Sequence, residues 1–327
     1  MCEGELIMNN IPLFLSPVFK ERIWGGNRLR EQFGYDIPSE RTGECWAISA
    51  HPNGQTIVTN EPFRGKTLGA LWEQHPELFG YFPADRFPLL TKILDANADL
   101  SVQVHPNDEY ARTYEHGELG KTECWYIIDC KDGAELIYGH YAKTKEELRQ
   151  MMEEGRWHDL LRKVPIRPGD FFYVPSGTVH ALCEGTLVLE TQQNSDTTYR
   201  MYDYDRIDEK GNKRELHLDK AIDVVVVPHV DVHYEPYVIQ TTGARITIFV
   251  ENEYFTVQKW DIEREWHVKQ VDHFLLVSVL EGEGDLHTSQ QTYRVRKGDH
   301  FILPHSLDGF TLSGNLRCIV SSPSWPK

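Results

Sequence analysis

Two stretches of this chain repeat one pattern, and that repetition limits the fold more than any other feature. PGDFFYVPSGTVHAL begins at Pro168 and KGDHFILPHSLDGF begins at Lys297. Both read Gly-Asp, then one variable residue, a Phe, two aromatic or aliphatic residues and a Pro. A tight turn feeds an apolar strand in each, and the Pro closes it. Each also follows a stretch that reads as a hairpin, WYIIDCKDGAELIYG (residues 125–139) and FLLVSVLEGEGDLHT (residues 274–288). A unit that occurs twice with its preceding hairpin predicts two copies of one β-barrel.

The remaining segments agree. FFYVP, GTLVLE, ARITIFVEN, YFTVQKW, HFLLVSVLEG and RCIVSS are short, β-branched or aromatic, and bounded by turn formers. They predict a mainly β chain of sandwich or jelly-roll type. Helical signals are few. LGALWEQHPELFG (residues 68–80) is one, and TKEELRQMMEEG (residues 144–155) is the other. In the second, Thr144 and Glu147 form a capping box and Gly155 supplies the stop. These helices read as additions to a β scaffold.

Composition excludes several classes. Against 34 Lys and Arg the 327 residues carry 50 Asp and Glu, a formal charge of −16. A nucleic-acid or anionic-membrane partner needs a basic face, so both are excluded as expectations, and an anionic substrate must find a locally basic pocket. No apolar run approaches the ~18 residues of a membrane span. MCEGELIMNN is acidic and lacks a long apolar core, so it does not read as a secretory signal. Met8 is an alternative start, and residues 1–10 are set aside from the expected core. The six cysteines include no C-x-x-C pair, which predicts reduced thiols in the cytoplasm. The expected state is a monomer or weak homodimer.

The chemistry concentrates in SVQVHPND (residues 101–108). On a strand, Ser101, Gln103 and His105 share one face and Val102 and Val104 the other. A hydroxyl, an amide and an imidazole on one inward face cost free energy unless something pairs with them, and a cation would. Glu123 opens ECWYII, and His180 lies at the turn after the first repeat. Gln103, His105, Glu123 and His180 form a mixed nitrogen and oxygen set suited to Zn²⁺ or another first-row divalent ion. The second repeat reads HSLDGF at the corresponding point, so the second barrel is expected to be structural. Beyond His180, Glu190 closes GTLVLE, and Arg200 and Arg206 lie in a polar, aromatic run with Asp203 and Asp205 between them. Arg200 reads as a fixed cation beside the pocket, placed to stabilise a developing oxyanion. The two aspartates read as neutralising surface charges. Lys92, a lone cation in FPLLTKILDAN, either reaches solvent or meets an anion in a pocket.

SVQVHPND, KTECWYII, PSGTVHAL and ETQQNSDTTYR together resemble the type I mannose-6-phosphate isomerases in their short bacterial form. WGG (residues 24–26) and GECWAIS (residues 43–49) fit as well. The resemblance runs from about Leu13 to the end. It implies two cupin barrels, one catalytic over residues 1–235 and one without a metal site over residues 236–327. It implies one zinc ion held by Gln103, His105, Glu123 and His180. It also implies interconversion of mannose 6-phosphate and fructose 6-phosphate through a cis-enediol. Arg200 and Glu190 are then the catalytic candidates, and Ser101, Lys92, Arg206 and Trp24 the substrate-binding ones. Where the family usually carries lysine, six residues after the catalytic arginine, this chain has Arg206. Longer members insert a helical domain between the Glu and second His ligands, and here that interval holds one helix. An iron-dependent cupin oxygenase and a non-catalytic sugar-phosphate sensor are the rival readings. Gln103 as a ligand argues against redox work.

Overall fold

A computed structural model describes residues 11–207, 211–269, 273–305 and 307–325. The segment set aside, residues 1–10, lies outside the described residues. The chain is mainly β, with two barrels of antiparallel strands and a few short helices, as the repeat predicts.

Both repeats form the same turn. Gly169 and Gly298 take φ of 94° and 92°, the left-handed region where a Cβ is strained. Asp170 Oδ2 accepts from the Arg167 amide and Asp299 Oδ2 from the Arg296 amide, each at 2.8 Å. The strands that follow, Phe171–Val174 and His300–Leu303, then pair with Glu123–Cys130 and Leu275–His287. The preceding stretches differ from expectation in one respect. Residues 125–139 fold into two strands, Glu123–Cys130 and Glu135–His140, in different sheets. Residues 274–288 instead form one long strand, Leu275–His287. Its register shifts between Val279 and Glu281, and Gly282 at φ 79° lies flush against the Asn315 carbonyl, so the bend needs no turn.

The first barrel is two sheets face to face. One runs Phe171–Val174, Glu123–Cys130, Thr186–Gln193, Leu89–Ala96, Thr42–Ile48, Val18–Gly26; the other runs Tyr199–Tyr202, Val102–Val104, His180–Leu182, Glu135–His140, Leu161–Pro165. Leu94, Trp125 and Val188 from the first meet Leu136, Tyr138 and Leu182 from the second in one core. On the opposite face of the six-stranded sheet, Cys45, Ile93, Tyr126 and Leu189 pack with Phe255, Leu276 and Ile319 of the second barrel. Thr186–Gln193 and Leu89–Ala96 are therefore buried along both faces, which is why they read as continuous apolar runs with isolated charges. On the outside of the five-stranded sheet, Val102 and Val104 pack under helix residues Leu148, Met151 and Ala221. Burying each such side chain is worth roughly 1.5–3 kcal/mol, and that fixes which face Gln103 takes.

The second barrel is built on Leu275–His287 and Phe310–Pro323, which pair along most of their length. The expected division at residue 235 is crossed by Leu13–Ser16, which hydrogen-bonds to His300–Leu303 on one side and Ile57–Val58 on the other.

The helix expected over residues 68–80 divides. Leu68–Gln74 is α-helical, capped by Thr67, and Pro76–Phe79 is a 3-10 turn. Pro76 lacks the amide an α-helix needs and drives His75 out of helical geometry. Lys145–Glu153 forms as expected, with Thr144 Oγ1 accepting from the Glu147 amide at 3.1 Å. The Glu147 carboxylate returns to the Lys143 amide, one residue before the cap. No helix among the described residues is long and apolar enough to cross a membrane.

Candidate active site

Strand register builds the site. In the five-stranded sheet, Arg200 lies opposite Gln103, and Gln103 opposite His180, so the three form one row across neighbouring strands. In the facing sheet a second row runs Trp46, Lys92, Glu190, Trp125. Ser101, Gln103 and His105 do share the inward face.

Three ligand atoms, one each from His105, Glu123 and His180, converge within 4.8 Å of one another, and all three residues are buried. His105 Nε2 and His180 Nε2 each lie 3.4 Å from a Glu123 oxygen. The other ring nitrogens are spent. His105 Nδ1 donates to the Thr197 carbonyl and His180 Nδ1 to the Thr178 carbonyl, both at 2.9 Å. That fixes the tautomers with Nε2 unprotonated. Burial, reinforced by Lys121, holds His105 down to about 3, and burial likewise lowers His180. Neutral imidazoles thus turn lone pairs toward a carboxylate, an arrangement that calls for a cation, and the Lys121 ammonium meets only the His105 and Oε2 side of it. Among the described residues Glu123 Oε1 receives no hydrogen bond, while Oε2 faces the Lys121 ammonium at 2.7 Å. The Gln103 amide reaches the same point, with Nε2 at 3.3 Å from His180 Nε2, and a half-turn of the amide presents its oxygen instead.

Sequence reasoning missed Lys121. Its ammonium is buried 2.7 Å from Glu123 Oε2 and 3.0 Å from His105 Nε2. Burial pulls its pKa down, but Glu123 and then Glu190 outweigh that and raise it. The signal was its spacing, two residues before Glu123 and hence on the same face of an extended segment.

The two inner carboxyls are driven apart. Burial would raise Glu123, yet Lys121 and His105 hold it well below the usual carboxylate range. Burial, and then repulsion from Glu123, raises Glu190 despite Lys121 and Lys92. Glu190 Oε2 accepts from Trp125 Nε1 at 2.9 Å, and Oε1 has no hydrogen-bond donor among the described residues.

The four candidate substrate residues do not form one cluster. Arg200 Nε reaches Ser101 Oγ at 3.3 Å and Nη1 reaches the Glu215 carbonyl at 2.8 Å. Lys92 lies instead with Glu190, at 3.4 Å, and over the Trp46 ring. Arg206 is committed, to the Asp203 and Asp99 carbonyls and the Asp203 carboxylate. Asp203 is not a solvated surface charge: it is buried, and Arg206 and Arg214 clamp it. Asp205 is exposed and pairs with Lys213. Trp24 is buried in the barrel core with Leu94 and Trp125. In the second barrel, His300 has both nitrogens satisfied, Nδ1 by Ser278 at 2.9 Å and Nε2 by Tyr35 at 2.8 Å.

Comparison with known proteins gives the family. Residues 13–132 match the family model for the phosphomannose isomerase type I catalytic domain, and residues 245–323 that for the mannose-6-phosphate isomerase cupin domain. The chain is 59% identical over 314 residues to mannose-6-phosphate isomerase ManA of Bacillus subtilis, covering 96% of this chain and 99% of that one. It is 53% identical over 310 residues to the mannose-6-phosphate isomerase of Streptococcus mutans, covering 95% and 98%. The crystal structure of the mannose 6-phosphate isomerase from Bacillus subtilis superposes with a TM-score of 0.93 at 58% identity, over 95% of this chain and 99% of that one. The chain belongs to the type I phosphomannose isomerase family.

Proposed function

We propose that this protein is a zinc-dependent aldose–ketose isomerase that interconverts mannose 6-phosphate and fructose 6-phosphate through a cis-enediol. One observation carries the metal part of the reading: the neutral His105 and His180 rings turn unprotonated nitrogens toward the Glu123 carboxylate, the three ligand atoms lie within 4.8 Å of one another, and Glu123 Oε1 has no hydrogen-bond donor among the described residues. Gln103, His105, Glu123 and His180 would hold the ion, and the mixed imidazole and oxygen set suits zinc. When bound, zinc supplies Lewis-acid polarisation of the carbonyl and adjacent hydroxyl of the open-chain sugar.

The chain's own residues supply the rest. Isomerisation moves one proton between carbon 1 and carbon 2, so the site needs a group that accepts it and returns it. Glu190 has a raised pKa and one oxygen without a donor, which suits a group that takes up a proton and returns it. Lys92, beside Glu190 and over the Trp46 ring, orients that carboxyl. Arg200 presents a fixed guanidinium, braced by Ser101 and Glu215, to the oxyanion of the enediolate. Ser101, with the positive field of Arg200 and Arg206, receives the phosphate and explains how an acidic protein takes an anionic substrate. Trp24 shapes the barrel core that holds Trp125 behind Glu190. The second barrel, residues 236–327, carries structure. Five free cysteines among the described residues support a reducing, cytoplasmic setting.

The test is metal analysis of the purified protein with a coupled assay on mannose 6-phosphate, with and without chelator. Stoichiometric zinc and chelator-sensitive turnover are expected. Full turnover in metal-free protein would reject the reading.

A further inference from the structure

Asp203 lies at the centre of a charge cluster that outruns its own balance. Arg214 grips its carboxylate with two nitrogens, Nε at 2.8 Å from Oδ2 and Nη2 on Oδ1, while Arg206 Nη2 shares Oδ1. Two guanidiniums against one buried carboxylate leave one positive charge uncompensated. Arg200 adds another three residues back along the chain.

The backbone is bent to build this cluster. Tyr204 and Asp205 both take left-handed φ, 56° and 54°, a conformation that costs non-glycine residues of order 1 kcal/mol each. Just beyond the bend, Ile207 and Lys213 pair in an antiparallel bridge. Arg206 and Arg214 stand just outside that bridge, which brings both guanidiniums to one carboxylate. The chain then runs to Glu215, whose carbonyl accepts from Arg200 Nη1, and to His217, whose Nδ1 accepts from the Arg200 amide. Bridge, clamp and Arg200 thus stand together beside Ser101.

Each Arg206 nitrogen already donates one bond within the protein, which engages three of its five N–H groups. Arg214 differs. Its Nη1 has no hydrogen-bond partner among the described residues, and its side chain is 26% exposed. Like-charge repulsion inside the cluster acts on Arg200, which burial and then Arg214 lower from its ordinary value. An anion placed there removes that repulsion.

We infer that Arg214 is a specificity-determining residue that, held rigid by Asp203, donates to the substrate's phosphate through its free edge, while Arg206 fixes Asp203 and contributes charge without contact. The inference rests on the sugar-phosphate reading above. A planar fork held at one edge by a buried carboxylate loses little freedom when its other edge meets a phosphate.

Arg214→Gln and Arg214→Lys test it by steady-state kinetics on mannose 6-phosphate and by inhibition with inorganic phosphate. Arg214→Gln is expected to raise KM and the inhibition constant for inorganic phosphate together, each about tenfold, with kcat changed less than about threefold. Arg214→Lys should recover only part of both losses, because it keeps the charge but cannot hold Asp203 with two nitrogens and still offer a free edge. An unchanged phosphate inhibition constant overturns the inference, as does a fall in kcat at constant KM. Equal impairment by Gln and Lys, with a lowered melting temperature, overturns it too, because Arg214 would then only neutralise Asp203. Failure of the sugar-phosphate reading is separate, since it would appear as absent turnover in the unsubstituted protein.

Discussion

The Lys121 ammonium stands 2.7 Å from the Glu123 carboxylate, and both groups are buried. Removing one member of a buried ion pair typically costs 3–5 kcal/mol, because the charge left behind has neither water nor partner. Here the cost depends on what else sits at Glu123. Lys121→Met should destabilise metal-free protein by roughly 3 kcal/mol, but zinc-loaded protein much less, because the ion neutralises the same carboxylate. Denaturant midpoints of the two forms check this. Equal destabilisation would mean that Glu123 is not a metal ligand.

His105→Ala and His180→Ala should each abolish most metal binding and nearly all turnover, since losing one ligand of four opens the site to water. The second barrel gives the contrast. His305 packs its ring against Gly80 at the junction between barrels, and His300 is saturated by Ser278 and Tyr35. Substituting either should leave metal content intact in elemental analysis, whatever it costs in stability. A metal equivalent that disappears with His305→Ala would contradict this asymmetry.

Much of this was legible in the sequence for local reasons. The two Gly-Asp turns repeat because Gly169 and Gly298 need left-handed φ and because Asp170 and Asp299 make the same amide contact. Ser101, Gln103 and His105 share a face because strand period is two. What stayed hidden depends on distant residues. Lys121 has its partner Glu123 only two residues on, but its burial comes from the packed barrel around it. Asp203 reads as a surface acid because nothing local shows that Arg214 returns to it across a loop. Lys92 was open between solvent and an anion, and register decided it by setting Glu190 opposite. The strand Leu13–Ser16 joins the far barrel because its partner, His300–Leu303, is almost the length of the chain away.

His300 also sets a pH dependence. Burial holds its folded pKa down to about 3, against ~6.5 in the unfolded chain. Between those values the unfolded state binds a proton that the folded state does not, so stability falls as pH is lowered from ~6.5 toward 3. The slope from one such group is at most about 1.4 kcal/mol per pH unit. His300→Gln should flatten that acid limb by up to one proton when urea midpoints are followed from pH 7 to pH 5. A parallel limb in the variant would show that His300 is protonated in the native state.

Arg200→Lys separates catalysis from binding. The guanidinium is held at two points, Nε by Ser101 Oγ at 3.3 Å and Nη1 by the Glu215 carbonyl at 2.8 Å. It lies in register with Gln103, and Gln103 with His180, so it occupies the same row as two of the proposed metal ligands. Lysine keeps the charge but cannot make both braces and still present a planar edge to the sugar. A rigid donor aimed at a developing oxyanion is worth about 3 kcal/mol, which corresponds to a loss in kcat on the order of a hundredfold, with KM changed much less. Lys92→Ala should also act on kcat, since Lys92 pairs with Glu190 at 3.4 Å and its loss leaves that carboxyl still harder to ionise. Arg214→Gln should act on KM instead. Measuring all three at matched zinc occupancy tests the division of labour between proton transfer and phosphate recognition. If Arg200→Lys raises only KM, then Arg200 belongs to the phosphate grip, and charge stabilisation of the enediolate must come from elsewhere in the barrel.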